Sequence, residues 1–316
     1  MSKHIVFVDG QEGTTGLEIN QRLMKRDDVE ILKIDNDKRK DIDERARLLN
    51  QSDMVFLCLP DDAAKESAAL ITNPSTRVID ASTAHRTDDS WAYGIPELSA
   101  QHRANIAGSA RVSNPGCYAT GFNILMYPLV TEGFVAADYP VSCHAVTGYS
   151  GGGKKLIQTF ESPQNREKLA GPCFYALTLR HKHLPEMQKH SGLARPPLFT
   201  PIIGNYFRGM TVAIPLHAGL LRTKATAAAI NQFFADYYRD QPFVKTLPFN
   251  VQEQFEWGYL NAQACNHTNN IEIMVFGDDR QVLAVSRLDN LGKGASGAAI
   301  QNMNIMLGVD EGYSLV

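Results

Sequence analysis

A strand pattern that runs straight into a triple-glycine loop and then into a helix with one apolar face is the feature that most constrains this chain. Ile5-Val-Phe-Val8 is a β-branched and aromatic run of the kind that forms a buried strand. Gly10-Gln-Glu-Gly13-Thr-Thr-Gly16 follows directly, and residues 17–26 carry apolar side chains at 17, 19, 23 and 24, the spacing of an amphipathic helix. Glycines tolerate positive φ and let the backbone approach a pyrophosphate, while the next helix N-terminus offers N–H donors and partial positive charge. This context predicts a dinucleotide cradle made by Gly10, Gly13, Thr14, Thr15 and Gly16. The spacing is G-x-x-G-x-x-G rather than the commoner G-x-G-x-x-G, and a plain βα turn is the alternative.

The pattern repeats downstream. Residues 30–34, 54–59 and 77–80 read as strands, with helical stretches between them. Such alternation predicts an α/β, Rossmann-like, doubly wound parallel sheet. Asp35 closes the second strand nineteen residues after Gly16, where an acidic residue would bind a ribose diol. Lys38, Arg39 and Lys40 follow and suit the extra phosphate of NADP equally well, so the local sequence leaves NAD or NADP open.

From about residue 115 the pattern changes to strands at 139–147, 210–216 and 271–276 separated by longer irregular stretches. Val282-Leu-Ala-Val-Ser286 pairs with 271–276 across Gly277-Asp-Asp-Arg280 as a hairpin. This half reads as α+β with a mostly antiparallel sheet. The final segment, 294–307, is a small-residue helix whose domain periodicity does not assign. With 316 residues, 44% of them apolar, the chain buries a core without staples.

Charge and cysteine count narrow the class. Acidic residues number 34 against 31 basic, which argues against a nucleic-acid surface built on bulk positive charge. Five cysteines at 58, 117, 143, 173 and 265, with no C-x-x-C pair, suit reduced thiols in a cytoplasm. The start of the chain lacks the charge and apolar run of a signal peptide, and no stretch reaches about 20 uninterrupted apolar residues, so no membrane span is expected.

One cysteine differs from the rest. Cys117 sits in Ser113-Asn-Pro-Gly-Cys117-Tyr-Ala-Thr-Gly121, a turn opening an apolar helix, where a thiolate is stabilised by free N–H groups and the dipole. A nucleophilic cysteine needs a base. Arg180-His181-Lys-His183-Leu-Pro-Glu186 supplies two imidazoles and a carboxylate three residues after the second, on one helix face, so Glu186 is expected to orient His183. A metal reading of His-x-His is weaker, because no third ligand is marked nearby; no metal is expected. Gly148-Tyr-Ser-Gly-Gly-Gly153-Lys154 fits G-x-x-x-x-G-K but has Lys155 where a Walker loop needs Ser or Thr. It reads instead as an anion-binding or nicotinamide-facing loop that includes Ser150, Gly151 and Lys154.

Taken in order, these motifs together with Asp289-Asn-Leu-Gly-Lys-Gly-Ala-Ser-Gly297 closely resemble the N-acetyl-gamma-glutamyl-phosphate reductases of arginine biosynthesis, within the semialdehyde-dehydrogenase superfamily. The compact chain and its Gln11-Glu12 loop look like the shorter, type 2 branch. The resemblance implies an NADP(H)-dependent reductive dephosphorylation through a Cys117 thioester. His183 is then the acid/base, Glu186 orients it, and His181 helps. It also implies Pro60 beside the nucleotide, and Asn290, Gly294 and Ala295 near the nicotinamide.

For substrate and inorganic phosphate the candidates are Ser82, Arg86, Asn114, Ser150, Lys154 and Arg208. Arg86 and Arg208 suit a bidentate grip on phosphate, with a structural ion pair as the alternative for each. The resemblance further implies a nucleotide domain of residues 1–115 and 294–316, a catalytic domain of 116–293, and a homodimer or homotetramer. Aspartate-semialdehyde dehydrogenase is the nearest rival, and a non-catalytic NADP sensor is a rival of another class.

Overall fold

Strand β1 (His4–Asp9) leads into α1 (Thr14–Leu23), and β2 (Val29–Leu32), α2 (Ile42–Gln51), β3 (Met54–Leu57), α3 (Asp61–Ala69) and β4 (Arg77–Asp80) continue the alternation in this computed structural model, which describes residues 3–315. The unit ends with β5 (Ala92–Tyr93), α4 (Ala100–Gly108) and β6 (Arg111–Ser113). The six strands lie in the order β2-β1-β3-β4-β6-β5, and every pairing is parallel. Strands of such a sheet are covered on both faces, so they read as continuous apolar runs. All four residues of β3 are fully buried.

Phe7, Leu49, Val55, Leu57 and Val78 form one continuous core on this sheet. Truncating a side chain such as Phe7 there would cost about 3–5 kcal/mol. The order reverses beside β1, the position at which open parallel sheets receive ligands.

The second unit opens with α5 (Cys117–Thr131) and continues through β7 (Ser142–Gly148), α6 (Gly153–Glu161), β8 (Cys173–Phe174), α7 (Leu184–Ser191), β9 (Leu198–Gly204) and β10 (Met210–His217). It closes with α8 (Ala227–Tyr237), β11 (Val244–Thr246), β12 (Ile271–Gly277) and β13 (Gln281–Leu288). The hairpin of β12 and β13 forms as expected, with Phe276 opposite Leu283.

The sheet itself is mixed rather than mostly antiparallel. Its order is β11-β12-β13-β10-β7-β9-β8, and both β7–β9 and β11–β12 pair in parallel. The reason is connection length: α6 and α7 lie between β7 and β9, long enough for a crossover where a tight turn would force antiparallel pairing. Beneath the sheet α5 is almost wholly buried.

Residues up to Gly116 and from Ala295 on make the first unit, and Cys117–Gly294 the second. Each junction falls one residue on from the sequence reading. The last helix, α9 (Gly297–Leu307), belongs to the first unit and packs on α1, α4 and β4. Met1, Ser2 and Val316, the ends of the domain span read from the sequence, lie outside the described residues.

Candidate active site

Cys117 is the first residue of α5 and is half-buried. Two hydrogen bonds fix the helix behind it: Ser286 Oγ donates to the Gly121 carbonyl at 2.8 Å, and the Tyr238 hydroxyl to the Ile124 carbonyl at 2.6 Å. Gly294 lies directly against the Cys117 Cβ. Among the other thiols, burial pushes Cys58 and Cys143 far up and Cys265 up to about 12, which makes them inert packing groups at neutral pH.

The histidine motif arrives beside the cysteine because α7 packs on α5. His183 stands at the N-cap of α7 and makes no side-chain cap bond, so its ring is not spent on the helix end. His183 and Glu186 are both buried, and Glu186 occupies the first helical turn. The ring of Tyr118, next to Cys117, meets both imidazoles edge-on, with centroids 5.7 Å from each, and the two imidazoles lie 4.8 Å apart.

Two tyrosines here were given no role by the sequence: Tyr118 lies within the Ser113–Gly121 motif, and Tyr175 lies outside every motif. The Tyr175 hydroxyl donates to the Tyr118 hydroxyl at 3.0 Å and lies 3.3 Å from His181 Nε2. Burial, the Tyr175 hydroxyl and Cys117 hold the Tyr118 phenol well above its ordinary range. Burial, with some help from Lys182, lowers His181 to about 4. His181 is thus neutral at working pH.

A second cluster of expected residues assembles in the same unit. Asn290 accepts from the Gly209 N–H at 2.8 Å and donates to Ser150 Oγ at 3.0 Å, with Gly151 against its amide. The start of this loop is not an anion cradle: the N–H groups of Gly148, Tyr149 and Ser150 are donated to the carbonyls of Gly209, Tyr206 and Phe207. Lys154 is exposed on α6. Arg208 pairs with the buried Asp289 at 3.2 Å, and Asp289 also accepts the N–H groups of His267 and Leu291.

In the first unit the glycine loop folds as a cradle. Gly10 has φ +91° and a Cβ there would stand 2.3 Å from the Cys58 carbonyl oxygen, while one at Gly16 would stand 2.5 Å from the Gly10 oxygen. No larger residue fits either place. Gly13 caps α1 without a side-chain hydrogen bond, unlike α2, where Asp41 accepts from two N–H groups. Thr14 Oγ1 is buried and finds no hydrogen-bond partner among the described residues. An open helix end, a cradle free of Cβ atoms and an orphaned hydroxyl fit a dinucleotide pyrophosphate.

Thr15 follows in the first turn of α1, and Pro60 is the N-cap of α3. Asp35 is exposed past β2, as are Lys38, Arg39 and Lys40. Ser82 donates to Asp80 at 2.7 Å, and His85 bonds the same carboxylate at 2.6 Å. Arg86 is buried and donates to the carbonyls of Asn114 and Ala81, and the Asn114 amide donates to the Ala295 carbonyl at 2.9 Å.

A parallel glycine-loop domain interrupted by a mixed-sheet domain with a cysteine at a helix head defines a semialdehyde dehydrogenase-type protein. The semialdehyde dehydrogenase NAD-binding domain family matches residues 5–106, and the semialdehyde dehydrogenase dimerisation domain family matches residues 117–290. The aspartate semialdehyde dehydrogenase II structure from Vibrio cholerae superposes with a TM-score of 0.74 at 15% identity, covering 98% of this chain and 99% of that one. The aspartate semialdehyde dehydrogenase from Francisella tularensis gives 0.71 at 16%, covering 96% and 100%. These structures share the fold.

Full-length sequence relatives are nearer. An N-acetyl-gamma-glutamyl-phosphate reductase 2 from Nostoc sp. is 48% identical over 100% of both chains. An N-acetyl-gamma-glutamyl-phosphate reductase from Burkholderia orbicola is 45% identical over 98% of both. The chain belongs to the N-acetyl-gamma-glutamyl-phosphate reductase family. Among the described residues no helix is long and apolar enough to cross a membrane, and no three His, Cys, Asp or Glu side chains converge on a metal-binding point.

Proposed function

We propose that this chain catalyses the NADPH-dependent reductive dephosphorylation of N-acetyl-L-glutamyl 5-phosphate to N-acetyl-L-glutamate 5-semialdehyde, in arginine biosynthesis. The observation that carries the reading is Cys117 at the head of α5 with the buried His183–Glu186 turn of α7 packed on that helix and the His183 ring edge-on to Tyr118, in a chain 48% identical along its whole length to a reductase of that name.

The Cys117 thiolate attacks the acyl carbon, and collapse of the tetrahedral adduct breaks the C–O bond to phosphate and leaves a thioester. Gly10, Gly13, Thr14, Thr15 and Gly16 would hold NADPH, which when bound supplies the hydride that reduces the thioester carbon. His183 delivers a proton to the resulting oxygen and retakes it as the C–S bond breaks, which frees the aldehyde and returns the thiolate. Glu186 orients that imidazole. Arg86 with Ser82 is the proposed phosphate grip; Arg86 donates to the neutral carbonyls of Asn114 and Ala81, whereas the charge of Arg208 is paired with the buried Asp289.

A homodimer is part of the reading, supported by the match to a family described as a dimerisation domain, and five free thiols support a cytoplasmic setting. The assay runs in reverse: purified protein with N-acetylglutamate semialdehyde, NADP and inorganic phosphate raises the absorbance of reduced nicotinamide. Turnover of aspartate semialdehyde alone would overturn the assignment.

A further inference from the structure

We infer that His181 is a positioning residue rather than a proton carrier: a chain of hydrogen bonds through His181, Tyr175 and Tyr118 locks its ring in the neutral Nε2–H tautomer and fixes the backbone of His183. The inference rests on the proposed reaction, in which His183 moves the proton.

The direction of the chain follows from its ends. The backbone N–H of His183 is a donor that cannot change roles, and it points at His181 Nδ1 at 3.2 Å, so Nδ1 carries no proton. The proton of a neutral ring then sits on Nε2, 3.3 Å from the Tyr175 hydroxyl. An Nε2–H can only donate, so the Tyr175 oxygen accepts from the imidazole, which leaves the phenol's own proton for the Tyr118 hydroxyl at 3.0 Å. Three donors, the His183 N–H, the His181 Nε2–H and the Tyr175 O–H, each meet one acceptor.

The groups around the ring hold this state. Tyr118, Tyr175, His183 and Phe199 face it as aromatic edges, and the neighbouring charge acting on it is Lys182, which opposes protonation together with burial. Burial also keeps both phenols protonated. Protonating Nδ1 would set two donors head to head at His183, on the residue that caps α7 and, in the proposed reaction, presents the catalytic ring.

The first arm of the test is ring-nitrogen NMR of the whole protein, with the His181 signals assigned by their loss in His181→Asn. The expected result is a neutral Nε2–H ring throughout the neutral pH range; an imidazolium or an Nδ1–H ring overturns the inference. The second arm compares His181→Asn, whose amide oxygen replaces Nδ1 as acceptor, with His181→Leu, which has none.

Asparagine should keep kcat within about tenfold of wild type with KM and both pH limbs unchanged, because no proton-transfer group, worth roughly 10²–10⁴-fold, has been lost. Leucine should lose about 100-fold, the effect of a misplaced acid/base. Equal effects of the two substitutions, at any size, overturn the inference. If wild type itself does not reduce the acetylglutamyl substrate, the proposed reaction fails instead, and the NMR arm together with the rate of Cys117 alkylation in the two variants still decides the role of His181.

Discussion

Gly294 packs against Cys117 so closely that a methyl group added at position 294 would stand 2.8 Å from the Cys117 Cβ and 3.3 Å from its Cα. Cβ atoms do not approach to that distance, and the same methyl would stand 3.2 Å from the Asp289 carbonyl oxygen, so the shift would fall on the head of α5. Gly294→Ala should therefore lower kcat by about 100-fold, the cost of moving a nucleophile by a fraction of its working distance. Steady-state kinetics beside a thermal melt checks this: full activity with an unchanged melt would show that the contact does not position the thiol.

Cys117→Ser separates an enzyme from a nucleotide sensor. A serine hydroxyl keeps the shape of the helix head but is hardly ionised at neutral pH. Turnover should vanish while NADPH binding, followed by fluorescence titration, stays within about twofold, since the proposed cradle of Gly10, Gly13, Thr14, Thr15 and Gly16 does not include Cys117. Residual turnover near the wild-type rate would remove Cys117 from the mechanism.

Local features of this site were readable because their signals are local. The Gly10–Gly16 loop sits between a strand and a helix, and Cys117 between a polar turn and an apolar run; both contexts span under twenty residues. The tyrosine relay was not readable, because Tyr118 and Tyr175 are 57 residues apart and neither sits in a pattern that demands a polar role. Strand β9 was missed for a similar reason. Leu198-Phe-Thr-Pro-Ile-Ile contains Pro201, which argues against a central strand. It pairs with all of β7 but only with the two residues of β8 on its other side, so the missing N–H costs little. The mixed sheet follows from that omission and from that of β11, since without β9 and β11 the parallel β7–β9 and β11–β12 pairings have no partner to propose.

Thr14 offers a test of the cofactor cradle that leaves the fold alone. Its hydroxyl is buried and without a hydrogen-bond partner among the described residues, a state that costs free energy until a ligand oxygen arrives. Thr14→Val removes the hydroxyl while keeping the shape. The Kd for NADPH should rise by about 3–10-fold, matching one net hydrogen bond of roughly 1 kcal/mol, with thermal stability unchanged or slightly higher. An unaltered Kd would take Thr14 out of the pyrophosphate site.

Arg208 and Arg86 should separate in a stability measurement. Arg208 pairs with Asp289, whose side chain is fully buried, so Arg208→Met leaves an uncompensated carboxylate and should destabilise the protein by about 3 kcal/mol in urea unfolding. Arg86→Lys keeps the charge but loses the planar fork. It should mainly raise the KM for phosphate in the reverse reaction. Should Arg208→Met be stable and selectively weak for phosphate, the two roles are exchanged.

His181 also gives the fold a pH dependence of defined sign. Burial lowers its folded-state pKa to about 4 from the ordinary 6.5 of a histidine, so between those values the unfolded chain binds a proton that the folded chain refuses, and stability falls as pH drops through that window. At pH 7 the ring is neutral in both states and its contribution to stability is fully present. The full shift corresponds to about 3 kcal/mol, and discounting for the ring's partial exposure leaves about 1–2 kcal/mol. Asparagine does not titrate, so the stability gap between wild type and His181→Asn should shrink by that amount from pH 7 to pH 4. Urea unfolding of both proteins at the two pH values reads it directly, and a gap that widens on acidification would mean that the folded state prefers a charged His181.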